Sequence, residues 1–216
     1  MTNEERYADY LYEVGTMRKI MRMHRQTLLT DDLSDNIATH SFRVTHIGWI
    51  LAKREDVDPY KVVMMCLLHD MGEGRSNDHN WVHKRYVKVY DEEIVKEQFG
   101  ALPDPELGEL AAEYEARESK EALVAKDADL LDQVLLLREY EWQGNREAAI
   151  WLRGKQGEVG DLVAVLHPSG LGEFGWLDRV EAVVAEVLDR VGDQVDVLFD
   201  RHHHVRQHRR AARPGD

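Results

Sequence analysis

An all-α fold follows from three features of this sequence. Apolar residues recur at three- and four-residue intervals through most of the chain, no convincing run of alternating strands appears, and Val62 to Leu68 is apolar all round, as in a helix enclosed by other helices. His40, Val44, Ile47, Gly48 and Leu51 share one helical face, so His40 points toward the core. Asp58 and Pro59 supply an N-cap and a first-turn proline for the next helix, predicted from Tyr60 to about Met71. Gly72 to Asn80 reads as a loop, because two glycines, Ser76 and Asn77 bring turn chemistry where the apolar period stops. Helices are predicted at Val82 to Phe99, Pro105 to Glu118 and Lys120 to Trp142. The last carries the stripe Leu123, Leu130, Val134 and Leu137, widened by Val124, Leu131 and Leu135. Gly154 to Gly175 reads as a long loop, and closing helices follow at about Trp176 to Arg190 and Gln194 to His203. No internal repeat appears, so residues 1–205 are expected to form a single unit and residues 206–216 a flexible basic tail.

With 216 residues, 43% of them hydrophobic, the chain can bury a substantial core. Its formal net charge of -13 repels nucleic-acid backbones and anionic membranes, so a phosphorylated ligand must be small and locally neutralised. The single cysteine, Cys66, lies in the apolar run and reads as a core residue, with no disulfide framework possible. The amino terminus has no apolar signal core and no segment approaches a membrane span, which leads to the expectation of a cytoplasmic protein. The histidine- and arginine-rich stretch from Arg201 to Arg213 reads as a solvated terminus.

His69 followed directly by Asp70 closes a helix too apolar to hold them cheaply. A buried, ionised carboxylate needs a compensating cation or hydrogen-bond donors, and a divalent metal meets that need. Imidazole nitrogens and carboxylate oxygens suit Mn, Fe, Co, Zn or Ni, and four such ligands leave positions for water and substrate. The inward-facing His40 precedes the pair by 29 positions, and a later helix carries Lys126, Asp127, Ala128 and Asp129 against its apolar stripe. Periodicity does not choose between the aspartates. Asp127 belongs to the Leu123, Leu130, Val134 and Leu137 stripe, which slightly favours it, whereas Asp129 lies beside the Val124 and Leu131 edge. Arg18, Arg22, Lys84 and Arg85 read as ordinary solvated helix charges.

This order, histidine, then histidine with aspartate, then a distant aspartate, resembles that of the HD-domain metal phosphohydrolases. His69, Asp70, Met71, Gly72 and Glu73, followed by Asp78, resemble the branch containing bacterial 5′-deoxynucleotidases and oxetanocin-related proteins. Arg25 stands 15 residues before His40, where that branch has an arginine associated with the substrate phosphate. The likeness covers about residues 15–145. It implies an HD-domain helical bundle with a buried site for one divalent ion (Mn, Co, Fe, Ni or Zn) held by His40, His69, Asp70 and Asp129. Asp129 is preferred over Asp127 because the family has a lysine three residues before the metal aspartate and often an alanine just before it, as Lys126 and Ala128 stand here. It further implies Glu73 as general acid or base, Arg25 gripping phosphate as a fork, and Gln26 and Asp78 contacting substrate. Gln26 replaces the family's frequent tryptophan, and Thr39 stands where an acid commonly precedes the first histidine.

The function that this resemblance implies is metal-dependent hydrolysis of a phosphomonoester on a small nucleotide, with a (deoxy)nucleoside 5′-monophosphate as the leading class, by a homodimer. Two alternatives are a di-iron oxygenase, in which His79 or His83 would help hold a second metal, and a non-catalytic nucleotide or metal sensor. Glu73 and Arg25 favour the enzyme.

Overall fold

The computed structural model describes residues 1–157, and among them the fold is all helical, with one isolated antiparallel bridge between Met21 and Asn36. Helix α1 (Asn3–Thr16) starts on a capping box in which Thr2 and Glu5 satisfy each other's backbone amides. α2 (His24–Leu28) is short and ends at Leu29, whose φ of 52° is left-handed. α3 (Ile37–Glu55) begins on a second capping box: the Thr39 amide donates to Asn36 Oδ1 at 3.1 Å and the Asn36 amide to Thr39 Oγ1 at 3.2 Å. The hydroxyl before His40 therefore serves the helix start. α4 (Pro59–Leu68) follows the Asp58 cap, α5 (Glu73–Ser76) is a single turn, and α6 (Asp91–Gly100), α7 (Glu106–Ala116), α8 (Lys120–Trp142) and α9 (Arg146–Gly157) complete the described chain.

The centre of the bundle is α3 packed on α4 and α8, with α7 and α9 completing the cover of α8. Val44, Ala52, Val62, Met65, Cys66 and Leu137 are all fully enclosed. Gly48 permits the close approach of α3 to α4, since a Cβ there would lie 2.6 Å from Cys66 Sγ and 3.1 Å from Val62 Cγ1. Gly48→Ala is expected to lower the unfolding free energy by about 1–3 kcal/mol through overpacking, read as a fall in the urea midpoint. An unchanged midpoint would show that the two helices separate without penalty.

Several sequence expectations need correction. α4 stops at Leu68, leaving His69 as its C-cap and Asp70 in the following turn. Leu67 is 43% exposed, so the helix is not enclosed on every side. The Gly72 to Asn80 segment contains the α5 turn, and the helix predicted from Val82 begins only at Asp91, after a 3-10 turn at His83–Arg85. In α8, Leu123 and Leu130 are half-buried, whereas Val124, Ala128 and Leu131 are buried, so the inward face is rotated toward the Val124 edge. α9 runs to Gly157, into the segment read as a long loop. The remainder of that loop, the closing helices and the basic tail lie outside the described residues. Among the described residues no helix is long and apolar enough to cross a membrane.

Candidate metal centre

Three helices deliver the polar cluster at the core. α3 brings His40 from its first turn, α4 ends on His69 and Asp70, and α8 contributes Asp129. His40 Nε2 lies 3.1 Å from His69 Nε2, 3.4 Å from Asp70 Oδ2 and 3.3 Å from Asp129 Oδ1. His69 Nε2 lies 3.1 Å from Asp70 Oδ2 and 3.9 Å from Asp129 Oδ1. Ligand atoms bound to one ion at ordinary Zn–N or Zn–O lengths stand roughly 3.0–3.5 Å apart, so most of these separations match a shared cation. His40, His69 and Asp129 form a metal-competent group, and Asp127 is not part of it. The imidazoles are buried, while the Asp70 and Asp129 side chains keep 22% and 16% exposure, leaving the cluster accessible on its carboxylate side.

Both imidazoles are oriented from behind. His69 Nδ1 pairs with the Cys66 carbonyl at 2.8 Å, and His40 Nδ1 with Asp132 Oδ2 at 2.6 Å. In a neutral ring a donating Nδ1 leaves the lone pair on Nε2, which is the atom each ring turns into the cluster. Burial and the nearby Arg22 guanidinium oppose charge on His40, yet its bonds to Asp129, Asp132 and Asp70 outweigh them and push its pKa up to about 10. Burial also opposes ionisation of the two cluster carboxylates. His69 and His40 nevertheless hold Asp70 well below the ordinary range, and Lys126, whose Nζ lies 2.7 Å from Asp129 Oδ2, does the same for Asp129 with help from both histidines. The donor set therefore calls for positive charge, which a divalent cation supplies.

Glu73, in the first turn of α5, is the complementary case. Burial, then the charges of Asp70 and Asp78, push its pKa up to about 10, and Oε2 is buried with no hydrogen-bond partner among the described residues. Burial and the two neighbouring carboxylates thus drive this carboxyl toward its neutral form. Its one-turn helix is clamped by Arg75, which donates to Glu13 Oε1 and Oε2 of α1 at 2.6 and 3.1 Å and to Glu97 Oε2 of α6 at 3.1 Å. Buried Gln98 ties the same region together, donating to Glu13 Oε1 at 2.9 Å and to the Met71 carbonyl at 3.0 Å.

Arg22 departs from its reading as a solvated charge. Residues 20–22 lie antiparallel to 35–37, joined by Ile37 N to Ile20 O at 2.9 Å and Arg22 N to Asp35 O at 3.3 Å. That pairing places the Arg22 side chain, 11% exposed, against His40 Nδ1, Asp132 Oδ2 at 3.4 Å and Gln133 Oε1 at 3.2 Å. Burial disfavours its charge, but Asp129, Asp70, Asp132 and Asp35 more than offset this. Arg25 lies half-buried on α2, where the carboxylate it influences is Asp32. Asp78 Oδ2 accepts the Met23 amide at 2.6 Å, bracing the start of α2, and Gln26 Oε1 accepts from Asn80 Nδ2 at 3.0 Å. The His79 and His83 rings face each other edge-on with centroids 5.9 Å apart, and neither belongs to the metal-competent group.

Sequence reasoning missed Asp132, Arg22, Asn80 and the Arg75 clamp. Asp132 carried one legible signal: it stands one helical turn after Asp129, on the face that meets His40.

The described site lies within residues 17–168, which match a family model described as HD domain. The chain belongs to the HD-domain family. This HD-domain protein is 28% identical over 183 residues to a 5′-deoxynucleotidase of Bos taurus, covering 81% of this chain and 80% of the relative. It is 29% identical over 125 residues to a Dictyostelium discoideum protein of the same description, covering 52% of this chain and 66% of that protein. Among solved structures, a conserved hypothetical protein of Pyrococcus furiosus aligns with a TM-score of 0.64 at 23% identity, covering 83% of this chain and 99% of that one. A protein of Magnetospirillum magnetotacticum, described as a predicted metal-dependent phosphohydrolase, aligns with a TM-score of 0.54 at 25% identity, covering 87% and 96%.

Proposed function

We propose that this HD-domain protein hydrolyses the phosphomonoester of a small nucleotide, a (deoxy)nucleoside 5′-monophosphate, using one divalent cation held by His40, His69, Asp70 and Asp129. The observation that carries the reading is the convergence of two Nε2 atoms and two carboxylates beside a buried Glu73, whose pKa is pushed up, and a buried guanidinium. The 5′-deoxynucleotidase relatives support the substrate class. A homodimeric state, implied by the family resemblance, and a cytoplasmic setting, expected from the sequence, belong to the same proposal.

A divalent cation held by these four residues would supply Lewis acidity toward a phosphate oxygen and the attacking water. As water adds to phosphorus and the bond to the 5′ oxygen breaks, Glu73 would give its proton to that departing oxygen and take back the proton the water loses, leaving an alcohol and hydrogen phosphate. Arg22 takes the phosphate-gripping role. It is the guanidinium whose charge is felt by Asp70 and Asp129, and burial fixes it before substrate arrives. Arg25, which the family resemblance offers for the same role, lies half-buried on α2 near Asp32 and is the alternative phosphate contact. Asp78 and Gln26 shape the substrate side by holding Met23 and Asn80.

Phosphate release from a panel of nucleoside 5′-monophosphates, with each of Mn, Co, Fe, Ni and Zn added to metal-stripped protein, tests the reading. Turnover that a chelator abolishes is expected, and no release under any metal would reject it. The two arginines separate in the same assay. Arg22→Ala should lower kcat/KM about a hundredfold or more, the scale of a lost charge-assisted contact to the transition state, whereas Arg25→Ala should stay within about fivefold. The reverse order would return the role to Arg25.

A further inference from the structure

We propose that Asp132 is a positioning residue for the metal centre: it fixes the Nδ1–H tautomer of His40 and so aims the Nε2 lone pair at the cation, with Arg43 and Glu139 as an outer clamp. The inference rests on the metal-site part of the proposed function and not on the phosphatase part. Asp132 is 1% exposed and sits one turn beyond Asp129 on α8. Its Oδ2 lies 2.6 Å from His40 Nδ1 and 3.4 Å from Arg22 Nη1, and although Arg22 Nη1 also abuts Nδ1, a guanidinium cannot accept, so Asp132 is the acceptor for the Nδ1 proton. Oδ1 accepts from Arg43 Nε, and Arg43 Nη2 reaches the Asp132 carbonyl at 3.4 Å. Arg43 Nη1 extends the chain to Glu139 Oε1 at 2.5 Å, one side of α3 thereby gripping two turns of α8.

A carboxylate behind a ligating imidazole does more than fill a cavity. It accepts the Nδ1 proton, removes the ring's rotational freedom and raises the basicity of Nε2, and loss of such a partner commonly weakens metal binding ten- to a hundredfold. His69 has only a neutral backbone carbonyl in the corresponding place, so the two imidazoles are not equivalent. His40 is the ligand whose donor strength the protein has raised. The same carboxylate also holds Arg22, so one buried side chain aligns both a metal ligand and the phosphate-side guanidinium.

The test uses full-length protein stripped of metal. In Asp132→Asn, chelator competition should show cation affinity lowered at least tenfold. Proton–nitrogen NMR of the metal-free protein should show the His40 Nδ1–H resonance lost or shifted from its carboxylate-bonded position. A purely structural ion pair with Arg43 would move neither reading in protein that remains folded by circular dichroism. Wild-type affinity together with an unchanged resonance overturns the proposal. Should Asp132→Asn fail to fold, Arg43→Gln decides the matter, since Arg43 is one-third exposed and its loss releases Asp132 Oδ1, so that the carboxylate is free to swing off His40 Nδ1. Weakened metal binding with a shifted His40 signal supports the role, and no change in either rejects it. Both readings are made without substrate, so failure of the phosphatase assignment would not imitate failure here.

Discussion

Asp129→Ala is expected to abolish stoichiometric metal binding and to cut phosphate release about a thousandfold or more, while Asp127→Ala leaves both within about threefold of wild type. Asp129 Oδ1 lies 3.3 Å from His40 Nε2 and is held on its other oxygen by Lys126. Removing it takes away a ligand and also frees an ammonium that repels the incoming cation. Asp127, two positions earlier, is turned by about 200° around the helix axis and lies outside the metal-competent group. Metal content by elemental analysis, paired with nucleotide turnover, checks both variants, and full metal retention in Asp129→Ala would refute the ligand set. Acid should mimic the lesion. Asp70 and Asp129 have folded-state pKa values depressed below the ordinary 3.8, so their stabilising contribution is complete above that value and is lost as the pH falls through the depressed range.

Glu73→Gln should lower phosphate release about a hundredfold or more while metal content stays at wild-type level, because the amide keeps the shape of the acid and cannot deliver a proton. Stability gives an independent reading of the same group. Its folded pKa, pushed up to about 10 by burial and by Asp70 and Asp78, exceeds the ordinary 4.5. Between those values the unfolded chain releases a proton that the folded, metal-free protein retains, so folding stability falls as pH rises. Glu73→Gln should remove that slope and make the metal-free protein more stable at neutral pH. Wild-type turnover would remove Glu73 from the chemistry, and an unaltered slope would show that its carboxyl is solvated.

Much of the arrangement was legible because it depends on local chemistry. The His40 face, the Asp58–Pro59 start and the full extent of α8 follow from spacing and caps that adjoining residues carry. α1 was passed over although Tyr7, Tyr10, Leu11 and Val14 recur at helical spacing, because no site residue drew attention to it and it buries no residue. α5 is too short for any period, and the 81–90 segment combines aromatic and aliphatic residues that mimic a helical stripe while most of their side chains face solvent. The stripe in α8 misled for a different reason. A helix packed on α3, α4, α7 and α9 is apolar around much of its girth, so the pattern does not reveal which edge faces the site. Asp132 and Arg22 were hidden by composition, since one acid among 41 and one base among 28 carry no mark of burial. Their partners lie 92 and 110 positions away in the chain.

A single helical turn has almost no intrinsic stability in water, and Glu73 stands on one. Its order is borrowed through Arg75 from Glu13 and Glu97, which belong to helices at opposite ends of the first hundred residues. The Glu73 carboxyl thus answers to exposed ion pairs, whereas the histidines answer to the closed packing of α3, α4 and α8. On warming, or in salt strong enough to screen those pairs, the hold on Glu73 is expected to loosen before the histidine and aspartate cluster opens. Order at Glu73 and global folding would then have separate thermal limits, the lower set by a clamp that lies outside the metal-competent cluster.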